Sequence, residues 1–446
     1  WASVLTGLVY MLGGFCAAHL DHLNILAVAA WLPGLLASSH LALERLRHGL
    51  VHALGALAWT ALWLTLCLLA GHPQMSWLGL AMLLANAAWV IATGRGDQAR
   101  TENEKQPQTG LAYAGSVLGA LAAVVLVATG LAAAQILPTL ELTFRSERAE
   151  GLDPDFFASF SMHPAYLVLL ASPFLLGDPY PRLSVEMVGY VGILPLLLAT
   201  LAIFGCRERR IRFYSLLAAG ALLLAFGQWN PAYPLLQRVP LLNWFRAPAR
   251  FLALFDLAMA VLAGAGAQEV SQRLRVSVMG ARRAIVLGMA LMLASALVGL
   301  ITTSMDLTQL LLAWRVFPLI LALAMGGLLF AALRGRLRRD AFAAACLVSV
   351  VLDLGAFGAV FRQTFNATMP REAFSTTPRS LALLRADFIP YRVYTHEEIV
   401  PVLSVMRESL YPNIALLYDV PSASGFFPLI PKSWARFAED LTSQKL

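Results

Sequence analysis

Charge is scarce in this chain: Asp, Glu, Lys and Arg make up 13% of its 446 residues, against about 25% in soluble domains. A water-solvated globular enzyme is excluded on that ground. Cysteine is scarce as well. The four residues, Cys16, Cys67, Cys206 and Cys346, lie within or beside apolar stretches and show no metal-ligand spacing, which argues against a disulfide scaffold or a cysteine-based zinc centre. No low-complexity block or internal repeat is visible, so neither a solenoid nor a transporter of two matching halves finds support.

What remains is apolar. Hydrophobic residues form 59% of the chain and mean hydropathy is +0.69. Runs of roughly 17–25 such residues cross about 30 Å of hydrocarbon as helix. They are read at Ala2–Leu20, Ile25–Leu43, Leu50–Ala70, Trp77–Thr93, Leu111–Leu137, Met187–Phe204, Phe213–Trp229, Phe251–Ala267, Ala284–Thr302, Val316–Leu333 and Ala341–Val360. The pattern predicts a mainly α, polytopic transmembrane helical bundle of about eleven spans over residues 1–360. It also predicts a long external loop region around 138–186. From 361 to 446 prolines and charges return and PYRVY at 390–394 reads as strand-like, so a small α+β or β-rich soluble lobe is expected there. The chain starts at Trp1 and stops at LTSQKL, and both ends read as clipped.

The net charge of +7 maps onto alternate connections rather than onto a nucleic-acid surface. ERLRH at 44–48, Arg95 to Lys105, CRERRIR at 206–212, Arg273 to Arg283 and RGRLRR at 334–339 are basic, and the connections between them are not. The basic side is the cytoplasmic one. Trp1 is then inside, and the tail after Val360 is outside. Outside too is the loop GQWNPAYPLLQRVPLLNWFRAPARF, Gly227–Phe251, with Arg238, Arg246 and Arg250. Arginines mixed with aromatic rings suit a membrane surface where an anionic ligand is held.

Several separated motifs resemble a known family. They are GGFCAAHLDHLN at 13–24 with AAWLP at 29–33, AQILPTLEL at 134–142, VEMVGYVGILPLLLA at 185–199, NWFRAPARFL at 243–252, DLGAF at 353–357 and PNIALLYDVPSASGFFPL at 412–429. Together, and in this order along most of the chain, they resemble the bacterial YfhO-type membrane proteins of the C-type superfamily of integral-membrane glycosyltransferases. The resemblance implies an enzyme of the bacterial plasma membrane that takes a sugar from a polyprenyl-phosphate carrier and attaches it, on the outer side, to a cell-envelope acceptor. The catalytic acid of that superfamily lies in the first external loop, which would precede Trp1.

The residues themselves suggest roles compatible with this. Arg246 and Arg250, four apart, would share a helical face if the helix began early enough, and guanidinium forks suit phosphate oxygens. The alternative is that they reach to lipid headgroups. Transfer to an acceptor needs a carboxylate to take its proton. Glu186, Asp153 and Asp155 are the candidates, with Glu141 and Asp178 also on the external side. Glu186 could instead pair with Arg182. His19, Asp21 and His22 cluster at the end of the first run. The two histidines could touch the donor phosphate, the three residues could bind a divalent metal bridging it, or they could be a polar helix end. Asp256 is an acid well inside a run, so it should pair with a cation or, with Tyr190, line a cavity; Asp353, nearer a helix end, reads as structural. A transporter or flippase of a lipid-linked or anionic solute, and a non-catalytic envelope-assembly scaffold, stay open as alternatives.

Overall fold

The computed structural model describes residues 1–94, 110–174, 185–238, 242–272, 317–364, 376–386, 392–395, 403–411, 413–424 and 429–443, with Val286 and Ala290. The chain is mainly α-helical and multi-pass. Its helices are α1 (Ala2–Leu12), α2 (Gly14–Ala18), α3 (Leu23–Leu46), α4 (Leu50–Leu69), α5 (Pro73–Gly94), α6 (Gly110–Leu131), α7 (Ala133–Arg145), α8 (Pro154–Phe157), α9 (Ile193–Gly205), α10 (Arg209–Ala225), α11 (Tyr233–Gln237), α12 (Leu252–Gln272), α13 (Phe317–Leu333), α14 (Arg339–Thr364), α15 (Arg379–Arg385), α16 (Leu403–Ser409) and α17 (Lys432–Ser443).

Six helices among the described residues are long and apolar enough to cross a membrane: α3, α4, α5, α6, the segment Pro248–Gln272 that contains α12, and Arg339–Phe361 within α14. The expectation of eleven is corrected downward, for local reasons. The first run breaks at Gly13 because Gly14 N–H donates to Tyr190 O (2.7 Å) and Phe15 N–H to Asp256 Oδ2 (3.1 Å) instead of to their own helix. The run from Met187 becomes helical only at Ile193, after Gly192 at φ +90°. The resulting α9 of 13 residues reaches about 20 Å, short of the hydrocarbon thickness. α10 and α13 have 17 residues each, and α10 begins with Arg209, Arg210 and Arg212. The run Ala284–Thr302 lies outside the described residues, apart from two helical positions.

The chain divides into two compact units, residues 1–136 with 152–366, and residues 137–151 with 367–446. In the first, α12 is the central helix, packed by α9, α10 and α1. It is apolar on every face, the mark of a helix surrounded by protein, and 83% of its spanning window is buried, against 28% for α6. Small residues let its neighbours approach. A Cβ at Gly266 would lie 2.0 Å from Leu198 O on α9, and one at Gly264 would lie 2.0 Å from Thr6 Oγ1 on α1.

The second unit has a small core of Leu381, Leu410, Ala415 and Val420. Its described residues contain helices and two isolated bridges, Ser146 with Pro431 and Val393 with Ser422, and no strand, so the β-rich lobe is corrected as well. Val393 exchanges single hydrogen bonds with Pro421 O and Ala423 N. Proline supplies no N–H with which to extend a ladder.

Candidate functional site

Three loops of the first unit are stitched together. Leu152 N–H donates to Asn243 O (2.9 Å), Ala247 N–H to Ser159 O (3.1 Å), Ala249 N–H to Phe160 O (3.3 Å) and Met162 N–H to Ala225 O (2.9 Å). Phe160 (φ +60°) and Ala247 (φ +62°) both adopt left-handed backbone. Non-glycine residues hold that conformation only where their surroundings impose it, and such outliers gather at functional sites. Gly227 (φ +49°) closes the assembly, because a Cβ there would lie 2.0 Å from Ser161 Oγ.

The left-handed Ala247 separates the two arginines. Helical structure starts with a 3-10 turn at Pro248–Phe251, so Arg246 precedes it and Arg250 belongs to it. The shared helical face expected from their spacing does not form. Arg246 lays its guanidinium over the rings of Phe156 (4.8 Å) and Phe160 (5.4 Å). This cation–π contact covers the face of the guanidinium and leaves its N–H edge open. Among the described residues no carboxylate pairs with it. Burial, then the positive charge of Arg250, lowers its pKa, with the nearby Glu186 charge acting in the opposite direction.

Arg250 is committed to the protein. Its Nε donates to both oxygens of Glu186 (3.0 and 2.9 Å), Nη2 donates to Glu186 Oε1 (2.5 Å) and Nη1 to Gln74 Oε1 (2.7 Å). Glu186 is 5% exposed and also meets His19 Nε2 at 3.2 Å. His19 Nδ1 faces Phe15 O at 2.8 Å. Both ring nitrogens of His19 therefore face oxygen atoms. Burial raises the Glu186 pKa, but the His19 hydrogen bond and the Arg250 charge outweigh it and hold the group at about 2. A carboxylate so tightly held is a weak proton acceptor. Glu186 anchors Arg250 and His19.

The other acids sort by their contacts. Asp153 caps α8, its Oδ2 accepting from Asp155 N–H (3.0 Å) and Phe156 N–H (3.3 Å), and so fixes the turn that carries Phe156. Asp155 is exposed, and among the described residues its carboxylate has no partner. Glu141 pairs with Arg145 at 2.8 Å on the surface of α7. Asp178, like Arg182, lies outside the described residues.

The metal expectation is not met. His19 is fully buried against Glu186, whereas His22 bonds the exposed Asp21 at 2.8 Å. Among the described residues no group of three His, Cys, Asp or Glu side chains could hold an ion.

Asp256 receives the Phe15 N–H, and its Oδ1 has no partner among the described residues. It fastens the break between α1 and α2 to α12, where a cation partner or a cavity-lining place had been expected. Tyr190 lines an apolar hollow with Met187, Val188 and Phe357 and donates its hydroxyl to Asp353 Oδ1 (2.7 Å), while Asp353 Oδ2 accepts from Ile193 N–H (2.8 Å) at the start of α9. Both acids hold the segments that carry His19 and Glu186.

Two residues at the start of α5, His72 just ahead of it and Gln74 in its first turn, were not singled out in the sequence. Gln74 joins the two arginines, donating from Nε2 to Arg246 O (2.5 Å) and Ala247 O (3.3 Å) while accepting from Arg250. His72 accepts from Met75 N–H at 3.2 Å through Nδ1, which puts the proton of the neutral ring on Nε2. Burial, then Arg250, pulls its pKa down to about 3. The polar sequence GHPQ at 71–74 between two apolar runs was the available signal. Gln74 also borders a cleft lined by Trp77, Phe157, Tyr233, Phe245 and Phe251. Phe157 stacks on Tyr233 at 4.9 Å, and Trp77 meets Phe251 edge-on at 6.1 Å.

No family model, curated protein or solved structure matches the chain.

Proposed function

We propose that the chain is a glycosyltransferase that takes a sugar from a polyprenyl-phosphate carrier, on the outer face of the bacterial plasma membrane, and gives it to a cell-envelope acceptor. The observation that carries this reading is Arg246: a half-buried guanidinium, clamped by Phe156 and Phe160 with no hydrogen-bonded or ion-paired carboxylate among the described residues, and next in sequence to Phe245, which lines an aromatic cleft. A lipid-linked phosphate needs a cation for its head and an apolar wall for the first part of its tail. Arg246 and the cleft supply both. Further support comes from the resemblance to YfhO-type proteins.

In this scheme an acceptor hydroxyl attacks the sugar's anomeric carbon and its proton passes to the Asp155 carboxylate. The bond from that carbon to the phosphate oxygen breaks, and the polyprenyl phosphate leaves with the electron pair. Arg246 stabilises the charge that gathers on the departing phosphate. Arg250 is held by Glu186 and contributes its remaining N–H groups and field.

The test is binding and turnover of labelled polyprenyl-phosphate sugars by the full chain in lipid nanodiscs, with envelope extracts as acceptors. Arg246→Ala should weaken donor binding roughly 10- to 100-fold, the value of a hydrogen bond to a charged group. Unchanged affinity would overturn the phosphate assignment. Retention of the donor without transfer to any acceptor would favour a lipid carrier or an assembly scaffold.

A further inference from the structure

We infer that Gln74 is the positioning residue of the arginine turn: its side chain locks Ala247 in left-handed backbone and thereby aims Arg246 away from Arg250. The inference rests on the lipid-phosphate reading for its biological meaning, and on hydrogen bonds for its physics.

Gln74 sits at the second residue of α5, behind Pro73, and is 8% exposed. Its amide is fully engaged inside the protein. Nε2 donates to the carbonyls of Arg246 and Ala247, and Oε1 accepts from Arg250 Nη1. It therefore has little capacity left for a ligand, and its influence passes through the turn it grips. The two carbonyls it holds belong to the peptide units on either side of the Ala247 Cα, whose torsions are φ +62° and ψ +70°. An L-residue gains nothing intrinsically from that conformation. In right-handed backbone the turn would carry Arg246 onto the early helix, towards the like charge of Arg250, and off the Phe156 and Phe160 rings. Gln74 bonds to both sides of this alternative, the turn and the second guanidinium, from a rigid helix.

The mechanism makes a specific claim about glycine. Glycine adopts left-handed backbone without steric cost, so Ala247→Gly should make the turn less dependent on Gln74. The full chain in nanodiscs would be compared as wild type, Gln74→Leu, Ala247→Gly and the double variant. Hydrogen exchange would be followed at the amides of Ala247 and Ala249, which donate to Ser159 O and Phe160 O. Gln74→Leu should speed exchange there roughly tenfold or more, the loss expected when buried hydrogen bonds go unmade, and the double variant should return it towards wild type. Binding of a polyprenyl monophosphate should follow the same order, weakened by Gln74→Leu and regained by the added glycine. Gln74→Glu keeps an oxygen for Arg250 but cannot donate to the two carbonyls. It provides the same comparison if the leucine variant does not fold.

Unaltered exchange in both Gln74 variants, or a double variant as loose as Gln74→Leu, would overturn the inference. A wild-type protein that fails to retain polyprenyl monophosphate would instead sink the lipid-phosphate reading, while the exchange comparison still decides the role of Gln74.

Discussion

The contact between Glu186 and Arg250 is the most consequential polar interaction in the described structure, and a double-mutant cycle on it gives a quantitative expectation. The Glu186 side chain is 7% exposed and that of Arg250 14%, with their closest approach at 2.5 Å. Removing one member of such a buried pair leaves the other charge uncompensated, a loss of about 3–5 kcal/mol. Glu186→Gln and Arg250→Gln should each approach that figure, and the double variant should lose clearly less than their sum, because neutral amides need no counter-charge. The His19 hydrogen bond and the Arg250 charge together, against burial, hold the Glu186 pKa at about 2, below its ordinary 4.5, which corresponds to roughly 3 kcal/mol for both partners combined. Since the folded value is the lower one, this stability is fully present above about pH 4.5 and is lost as pH falls towards 2. The measurement is reversible unfolding of the intact protein in mixed micelles, at pH 7 and again near pH 3.5, where about half of the carboxylate's contribution should have gone. Glu186→Gln should lack that part of the pH dependence. Single losses under about 1 kcal/mol that simply add would place the pair among solvent-screened contacts and refute the account of a buried anchor.

Asp155→Asn should reduce sugar transfer by a factor of roughly 10² to 10⁴, the range for general-base catalysis, with donor binding intact; wild-type turnover would remove the residue from the scheme. Asp153→Ala should instead lower stability by about 1 kcal/mol through the lost α8 cap, read as a shift in the unfolding midpoint. Gly227→Ala should destabilise the protein by a few kcal/mol, since its Cβ would meet Ser161 Oγ at 2.0 Å and the backbone is left-handed, and an unchanged midpoint would show that the loops are not packed as described.

Much of the bundle was legible in apolar runs. The runs at Leu50–Ala70 and Trp77–Thr93 correspond to α4 and α5, and Ala341–Val360 lies within α14, because an uninterrupted run leaves the backbone no partner but itself. The readings failed where distant groups captured those backbone bonds. Asp256 and Tyr190 O take the amides of Phe15 and Gly14, and no local pattern in GGFC foretells an acceptor more than 170 residues away. For Glu186 the expected neighbour, Arg182, lies outside the described residues, and the described contacts to Arg250 and His19 come from parts of the chain no local pattern links to it. Periodicity speaks of faces, not of which loops meet. Gln74 was missed for a related reason, since a neutral amide next to a proline carries no motif and acquires a role only from what the fold brings to it.

The two arginines of FRAPARF show why chemistry cannot be read from residue type alone. Both were candidates for the same phosphate on equal terms, as cations four residues apart. The fold treats them oppositely. Glu186, held in turn by His19, neutralises Arg250 inside the protein, and the turn gripped by Gln74 sends Arg246 onto two phenyl rings with no described carboxylate. A cation with no ion-paired carboxylate among the described residues and partly withdrawn from water has lost hydration that an anion restores well, so a binding site is expected at Arg246 and a scaffold at Arg250. The same logic ranks the acids. Glu186 is buried and engaged by Arg250 and His19, whereas Asp155 is exposed and has no carboxylate contact among the described residues. Substituting Arg250 should therefore act mainly on stability and substituting Arg246 mainly on ligand affinity. If Arg250→Gln left unfolding unchanged while abolishing donor binding, the assignment of the two roles would have to be reversed.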